Sequence, residues 1–175
     1  ERKGGGPSSY VWVVTDASNT KRYYGTQDGQ SVEDNAVLRE SSNRPIATWY
    51  LTKVIDQWGN TITYNYDHYS NSTSQNIKNG GKSVYLSDII YTGFNSTSGK
   101  YSVVFNSSGD RVDGRVNMNF GFKVLDNRQL DNIEVFYETD QLVEYEFIYD
   151  NEASTHFQTV LTDIKEKRDG NEFYR

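Results

Sequence analysis

Alternation of apolar and polar residues at a period of two is the feature that most constrains the fold. Residues 61–66 read Thr-Ile-Thr-Tyr-Asn-Tyr, and similar alternation recurs over residues 101–106, 132–137 and 143–149. Successive side chains of a strand point to opposite faces, so each segment is predicted to be a half-buried strand. In the last segment Glu144 and Glu146 share one face, which predicts that water reaches it.

Turn-forming residues separate these strands at 56–60, 138–141 and 167–171. Gly and Asn tolerate the positive φ that short hairpin turns require. The predicted fold class is therefore all-β, an antiparallel meander of β-hairpins forming a curved, elongated sheet. Residues 70–81 and 92–100 are predicted to be loops. Residues 31–38 fit a short capped helix, with a loop or a strand as the alternatives.

A short motif, Leu followed three positions later by Val or Ile, occurs four times. The copies begin at Leu51, Leu86, Leu130 and Leu161, at spacings of 35, 44 and 31 residues. Uneven spacing indicates that the loops vary while the strand pairs repeat. We expect each leucine and its β-branched partner (Val54, Ile89, Ile133 and Ile164) to be mostly buried and to bridge neighbouring hairpins.

Composition limits the partners and the chemistry. A net charge of −6 argues against binding to nucleic acid or to anionic membranes, which needs clustered Lys and Arg. No apolar window is long enough to insert into a membrane. The absence of cysteine excludes disulfides and thiolate chemistry. The Gly-rich residues 1–9 are predicted to be a flexible linker or flank, and residues 10–175 a single domain within a longer protein.

An ordered series of motifs resembles a known family. Residues 56–66, DQWGNTITYNY, resemble the D-x-x-G-N-x-I-x-Y-x-Y phrase of Rhs/YD-repeat proteins, and WYL at 49–51 resembles the W-x-L that introduces it. Further matches follow in order at RVD (111–113), GF (121–122), LDNIEV (130–135), VEYEFIY (143–149) and LTDI (161–164), and YYG at 23–25 resembles an upstream aromatic-Gly. The similarity is to the N-terminal region shared by the plasmid virulence protein B family and the B components of insecticidal Tc toxin complexes.

The resemblance implies a segment of a long β-sheet that encloses a toxic C-terminal segment in a hollow shell. It implies partners in the remainder of the same polypeptide and in other toxin-complex subunits, and a secreted or cell-surface location. It transfers no catalytic residue and no cofactor, because the self-cleaving site and the toxin lie in other parts of such proteins. The chain is therefore predicted to be non-catalytic.

The histidines, three carboxylate pairs and one turn offer alternative chemical roles. His68 and His156 lie in polar stretches, where an exposed loop histidine is the more common case than a triad member. The carboxylate pairs Glu138/Asp140, Glu144/Glu146 and Asp110/Asp113 could serve a glycosidase, but a solvated outer face is favoured. Residues 108–114 could hold calcium, although they lack the spacing of an EF-hand loop and a plain turn is favoured.

Exposed aromatic residues supply the second function hypothesis, a carbohydrate or cell-surface binding module. Trp49 and Trp58 are the candidate ligand-binding residues, and a host-surface glycan is the partner they imply. The competing expectation is that the turn residue Trp58 folds back on its own strands. Glycosylation patterns at Asn71, Asn95 and Asn106 are expected by chance in a chain rich in Asn and Ser.

Overall fold

The computed structural model describes residues 1–69, 81–150, 158–168 and 170–174, and their contacts divide them into two compact units. The first unit holds residues 1–69 and 82–100, and the second holds Gly81 and the described residues from Tyr101 onward. The predicted all-β class is confirmed: neighbouring strands pair antiparallel within each unit.

The first unit contains eight strands. They are β1 (Arg2–Lys3), β2 (Val11–Thr15), β3 (Lys21–Tyr24), β4 (Val37–Leu38), β5 (Thr48–Trp49), β6 (Leu51–Ile55), β7 (Asn60–Tyr69) and β8 (Ser83–Phe94). Six of them form a sheet in the order β1-β2-β3-β6-β7-β8, and β4 pairs with β5 separately. β8 extends through Phe94, so the loop predicted at residues 92–100 begins later than expected.

A second layer supplies most of the buried apolar residues of the first unit. A 3₁₀ turn at Asp34–Ala36 leads into β4 and occupies the segment for which a capped helix was one expectation; Glu33 makes no side-chain cap. Ala36, Val37, Leu38 and Ile46 of this layer are buried, as is Val11 of the sheet. A Cβ on Gly25 would lie 2.7 Å from Cδ1 of Trp49, so the close approach of the two segments requires glycine there.

The linker predicted for residues 1–9 is wrong where the structure places a strand and tertiary contacts. Arg2 pairs with Trp12 in β1–β2. The backbone N–H of Ile46 donates to the carbonyl of Pro7 at 3.1 Å, and Arg39 donates to the carbonyl of Ser8 at 2.7 Å. The glycine content of residues 1–9 suggested a linker, but the carbonyl groups of Pro7 and Ser8 are hydrogen-bonded by residues more than 30 positions away in the sequence.

The second unit is a five-stranded meander. It contains β9 (Tyr101–Asn117), β10 (Val124–Tyr137), β11 (Asp140–Asp150), β12 (Val160–Arg168) and β13 (Asn171–Tyr174), in chain order. The predicted turns are present: Glu138 has φ 53° between β10 and β11, and Gly170 has φ 73° between β12 and β13. The register gives this sheet two chemically different faces.

The two faces follow from cross-strand partners. Phe105, Ile133 and Tyr145 are opposite one another across β9, β10 and β11, as are Val103, Val135 and Val143. We call this set, with Tyr101 and Tyr137, the apolar face. The intervening residues form the polar face, which carries Val104 and Phe136 and, in larger number, the polar residues Asn106, Asn132, Glu134, Glu144, Glu146, Lys165 and Lys167.

The repeat motif buries its residues only in part. Six of the eight Leu, Val and Ile positions are half-buried, whereas Leu161 and Ile164, which were expected to be mostly buried, are 45% and 47% exposed. Among the described residues of the second unit, the one buried apolar residue is Leu125, at 5% exposure. A strand-pairing motif specifies backbone register, and this alone does not bury the side chains that it carries.

Candidate functional site

The turn between β6 and β7 presents Trp58 to solvent. The Asp56 carboxylate accepts hydrogen bonds from the backbone N–H of Trp58 at 2.9 Å and of Asn60 at 2.8 Å, and Gly59 has φ 90°. The side-chain amide of Asn60 donates to the same carboxylate and lowers the pKa of Asp56. This network fixes the turn, and it confirms the predicted positive φ. The indole is 71% exposed, so the expectation that it folds back on its strands is wrong.

The turn between β2 and β3 repeats the same geometry one hairpin earlier. Asp16 accepts from the backbone N–H groups of Ser18 and Thr20, and Asn19 has φ 59° in the place of Gly59. In both turns the backbone N–H of the first residue, the aspartate, donates to the carbonyl of the fifth residue. The backbone N–H of the fourth residue donates to the carbonyl of the aspartate. The hydroxyl of Ser18, followed by the guanidinium of Arg22, holds the pKa of Asp16 well below its usual range. Sequence reasoning missed this turn, although Asp16 and Asn19 carry its signal.

A cavity of about 320 Å³ lies beside Trp58 at this end of the first unit, and we call it the Trp58 pocket. It is lined by Trp58, Gln57, Ile55, Tyr23, Asn19 and Asn95, among others. Asn95 reaches it from the turn after β8, where its backbone N–H donates to the carbonyl of Gly59 at 2.8 Å. Three turns therefore contribute side chains to one pocket.

Trp49, the other predicted ligand-binding residue, lies at the opposite end of β6 and serves as a packing residue. Its Nε1–H donates to the carbonyl of Tyr10 at 2.6 Å. Its ring packs edge-to-face on Trp12 at 6.0 Å between centroids. The structure therefore does not bring Trp49 and Trp58 together in one pocket.

The histidines do not form a recognisable catalytic group. His68 lies in β7 with Nε2 buried and without a hydrogen-bond partner among the described residues. Burial, followed by the positive charge of Lys82, lowers the pKa of His68. The expectation of an exposed loop histidine is therefore wrong for His68, and His156 lies outside the described residues.

The carboxylate pair on β11 belongs to a polar network. Lys167 lies 2.9 Å from Glu146 and 3.9 Å from Glu144, and Asn132 donates to Glu144 at 3.2 Å. The ion pair with Glu146 also raises the pKa of Lys167. Asn106 extends the network by donating to Asn132 and to Glu134, both at 2.7 Å. The polar face is thus cross-linked by hydrogen bonds, and it leaves both carboxylates with cationic or amide partners.

The segment 108–114 is strand, and the plain turn favoured from sequence is wrong. Residues 108–114 lie within β9, where Gly109 has φ 54° and forms a bulge opposite β10. The guanidinium of Arg111 donates two hydrogen bonds to the Asp113 carboxylate, at 3.0 and 2.9 Å, and the hydroxyl of Thr159 donates a third at 2.9 Å. The bond from Arg111 lowers the pKa of Asp113 to about 2. No group of three metal-ligating side chains occurs in the described ranges.

A second cavity, of about 310 Å³, is polar and was not anticipated. Gln27 donates to Asn65 at 3.1 Å, and Asn65 donates to Asp88 at 2.7 Å. In the sequence, Asn65 lies between Tyr64 and Tyr66 of the predicted strand, and an amide at this position is the signal that could have indicated a polar site. Of the three asparagines in glycosylation patterns, Asn106 donates a hydrogen bond to Asn132 on the polar face and Asn95 is exposed. Asn71 lies outside the described residues.

Comparisons with known proteins agree with the motif series. The sequence profile of the family described as "Salmonella virulence plasmid 65kDa B protein" (SpvB) matches residues 3–130. No curated protein matches the chain significantly in sequence. Among the helices of the described residues, none is long and apolar enough to cross a bilayer.

Solved structures share the fold. The N-terminal domain of effector protein SpvB from Salmonella typhimurium strain LT2 is similar with a TM-score of 0.71 and 15% identity, over 91% of this chain and 61% of that one. TcdB2-TccC3-TEV gives a TM-score of 0.73 and 14% identity, over 94% of this chain and 10% of that one. The Photorhabdus luminescens Tc holotoxin pore gives 0.70 and 14%, with the same coverage. The chain thus spans about three-fifths of the first and a tenth of the others.

Proposed function

Because this chain belongs to the family of the Salmonella virulence plasmid 65kDa B protein, we propose that it is a non-catalytic structural segment of a toxin-associated β-shell. Its partners would be the remainder of one long polypeptide and other subunits of a toxin complex. Its location would be secreted or at the bacterial cell surface. The observation that carries the proposal is the two-faced sheet of the second unit.

The apolar face is chemically suited to lie against another surface. Its aliphatic and aromatic side chains keep partial solvent exposure in the described chain, and Ile164 beside them is 47% exposed. Burying apolar area gains about 25 cal/mol per Å², so a face of this kind is stabilised when it is covered. In a shell, enclosed polypeptide would cover it.

The polar face is suited to the outside of such a wall. The ammonium of Lys167 lies within 4 Å of both Glu144 and Glu146, whose side chains are 19% and 35% exposed. Both carboxylates are engaged with side chains of neighbouring strands, Glu146 with Lys167 and Glu144 with Lys167 and Asn132. This arrangement supports a structural role for the pair.

Strand order supports assembly into a longer sheet. β1 is the first strand of the sheet in the first unit and β13 is the last strand of the sheet in the second, and strands pair through backbone groups that require no particular side chain. Neighbouring segments of a longer polypeptide could extend the sheet at these strands. Loop variation between hairpins, as in the uneven repeat spacings, would leave such pairing intact.

Protease protection tests the enclosing role. The longer polypeptide would be digested in parallel with its C-terminal segment expressed alone. We expect the enclosed segment to survive protease concentrations that degrade the free one. Equal digestion rates would contradict the shell proposal.

Substrate assays test the absence of chemistry separately. The purified chain would be incubated with glycoside, ester and phosphoester substrates beside a His68→Ala, His156→Ala double variant. We expect no turnover above background from either protein. Turnover that is present in the first and lost in the second would assign an enzymatic function.

A further inference from the structure

We propose that the Trp58 pocket binds a saccharide, with the indole of Trp58 as the stacking platform. This binding function does not depend on the shell role. Trp58 is 71% exposed at the tip of a turn, so its indole lacks the burial that normally stabilises so large an aromatic residue. The turn itself is held by Asp56, Gly59 and Asn60, so it does not require a tryptophan at position 58.

The second step is rigidity. The backbone N–H of Trp58 is fixed to Asp56 at 2.9 Å, and the next turn is tied on through the 2.8 Å bond from Asn95 to Gly59. A Cβ on Gly59 would lie 2.4 Å from Oδ1 of Asn95, which shows how closely the two turns pack. The main chain that carries the indole is thus held before a ligand arrives, which lowers the entropy cost of binding.

The third step is the polar lining. The side chains of Asn19, Gln57 and Asn95 line the cavity and make no hydrogen bond to one another or to the rest of the described chain. Amides both donate and accept, as a row of sugar hydroxyls requires. The phenol of Tyr23 lies in the same wall.

Shape and chemistry together favour a saccharide over an apolar peptide. About 320 Å³ is at the lower end of the ~300–1,000 Å³ typical of ligand pockets. The indole of Trp58 offers a flat face for the C–H side of a sugar, and the amides, together with the charged Lys21 and Asp56 of the same lining, offer polar groups for its rim. A peptide groove would instead need a continuous apolar floor, and only Ile55, Tyr23 and Trp58 provide such surface here.

The test is binding of the 175-residue chain to a printed array of neutral and acidic oligosaccharides, followed by a fluorescence titration with the strongest binder. We expect specific binding that weakens about tenfold or more in Trp58→Ala. The Phe120→Ala variant is the matched control, because Phe120 is also an exposed aromatic residue, at 48%, but lies outside the pocket. It should bind as the unmodified chain does.

Two further variants separate stacking from simple apolar contact. Trp58→Phe keeps an aromatic face and should retain binding to within a few-fold, whereas Trp58→Leu should lose it as Trp58→Ala does. Gln57→Ala should weaken binding without altering the circular dichroism spectrum. The proposal is overturned by no array binding, by equal binding in Trp58→Ala, or by a Trp58→Leu variant that binds as Trp58→Phe does, which would indicate an apolar partner.

Discussion

The hydroxyl of Tyr66 donates a hydrogen bond to the carbonyl oxygen of Leu51 at 2.8 Å. Tyr149 makes the same bond to Leu130, also at 2.8 Å. In both hairpins, continuing the register places the tyrosine one residue beyond the position opposite the leucine. Burial raises the pKa of Tyr66 to about 12 and raises that of Tyr149, so both remain donors at neutral pH. At two of the four copies of the motif, a tyrosine hydroxyl therefore ties the end of the hairpin to its start.

Removing this hydroxyl should destabilise the first hairpin. Tyr66→Phe leaves the Leu51 carbonyl without its donor and should lower the free energy of unfolding by about 1 kcal/mol. Tyr64→Phe is the control, because the Tyr64 hydroxyl makes no hydrogen bond to a described residue. Urea denaturation would measure both, and equal losses would show that the bond contributes nothing specific.

The Trp58 turn should depend on glycine through its backbone conformation. Gly59→Ala adds a Cβ at φ 90° that would lie 2.4 Å from Oδ1 of Asn95, but this oxygen is the end of an exposed side chain that can rotate away. Gly121→Ala adds a Cβ at φ 82° with no atom within 4 Å, so it carries only the backbone cost of roughly 1–2 kcal/mol. We expect the two variants to lower the thermal midpoint by similar amounts. A much larger loss in Gly59→Ala would show that the Asn95 side chain cannot move away.

Truncation of leucines should follow burial and not the repeat. Leu125→Ala removes a side chain that is 5% exposed and should cost about 2–5 kcal/mol. Leu161→Ala removes one that is 45% exposed and should cost less than about 1 kcal/mol. Chemical denaturation of both variants checks this order, which the reverse result would refute.

Stability should fall as His68 is forced to take a proton. The folded-state pKa of His68 lies below its ordinary value of 6.5. Burial, Lys82 and Arg39 lower this pKa because they disfavour the charged imidazolium, and the carboxylate of Asp34 raises it by a smaller amount than their sum. The unfolded chain then binds the proton first, so stability is full above about pH 6.5 and is lost as pH falls below it. We expect the unfolding free energy to decrease from pH 7 to 5.5.

The comparison would be made in a His156→Gln background, where His68 is the remaining histidine. Adding His68→Gln should flatten the pH dependence over this interval. An unchanged slope would mean that the buried imidazole is not the titrating group.

The sequence predicted strands and turns well because both are local. Alternation at residues 61–66 and the Asp56–Gly59 turn signal depend on a few adjacent residues, and the structure reproduces them. It predicted burial poorly, because the exposure of Leu161 depends on whether a second layer covers β12. Composition also misjudged residues 1–9, whose partners Arg39 and Ile46 are distant in sequence.

The candidate site was predicted in part for the same reason. Trp58 was identified from its turn, but Trp49 was grouped with it, and only the fold shows that it packs on Trp12 instead. Asn19 and Asn95 were not identified as site residues, because they reach the pocket through the pairing of β3 with β6 and of β7 with β8.

The shell account is tested most directly by comparing two adjacent positions of β10 that point to opposite faces. Val135→Cys places a thiol on the apolar face and Glu134→Cys places one on the polar face, in a chain that has no cysteine of its own. In the longer polypeptide, with any other cysteines replaced by serine, maleimide labelling of Val135→Cys should be about tenfold slower than labelling of Glu134→Cys. In the isolated chain the two rates should lie within a few-fold of each other. Equal labelling rates in the longer polypeptide would contradict the claim that the apolar face lines an enclosed interior.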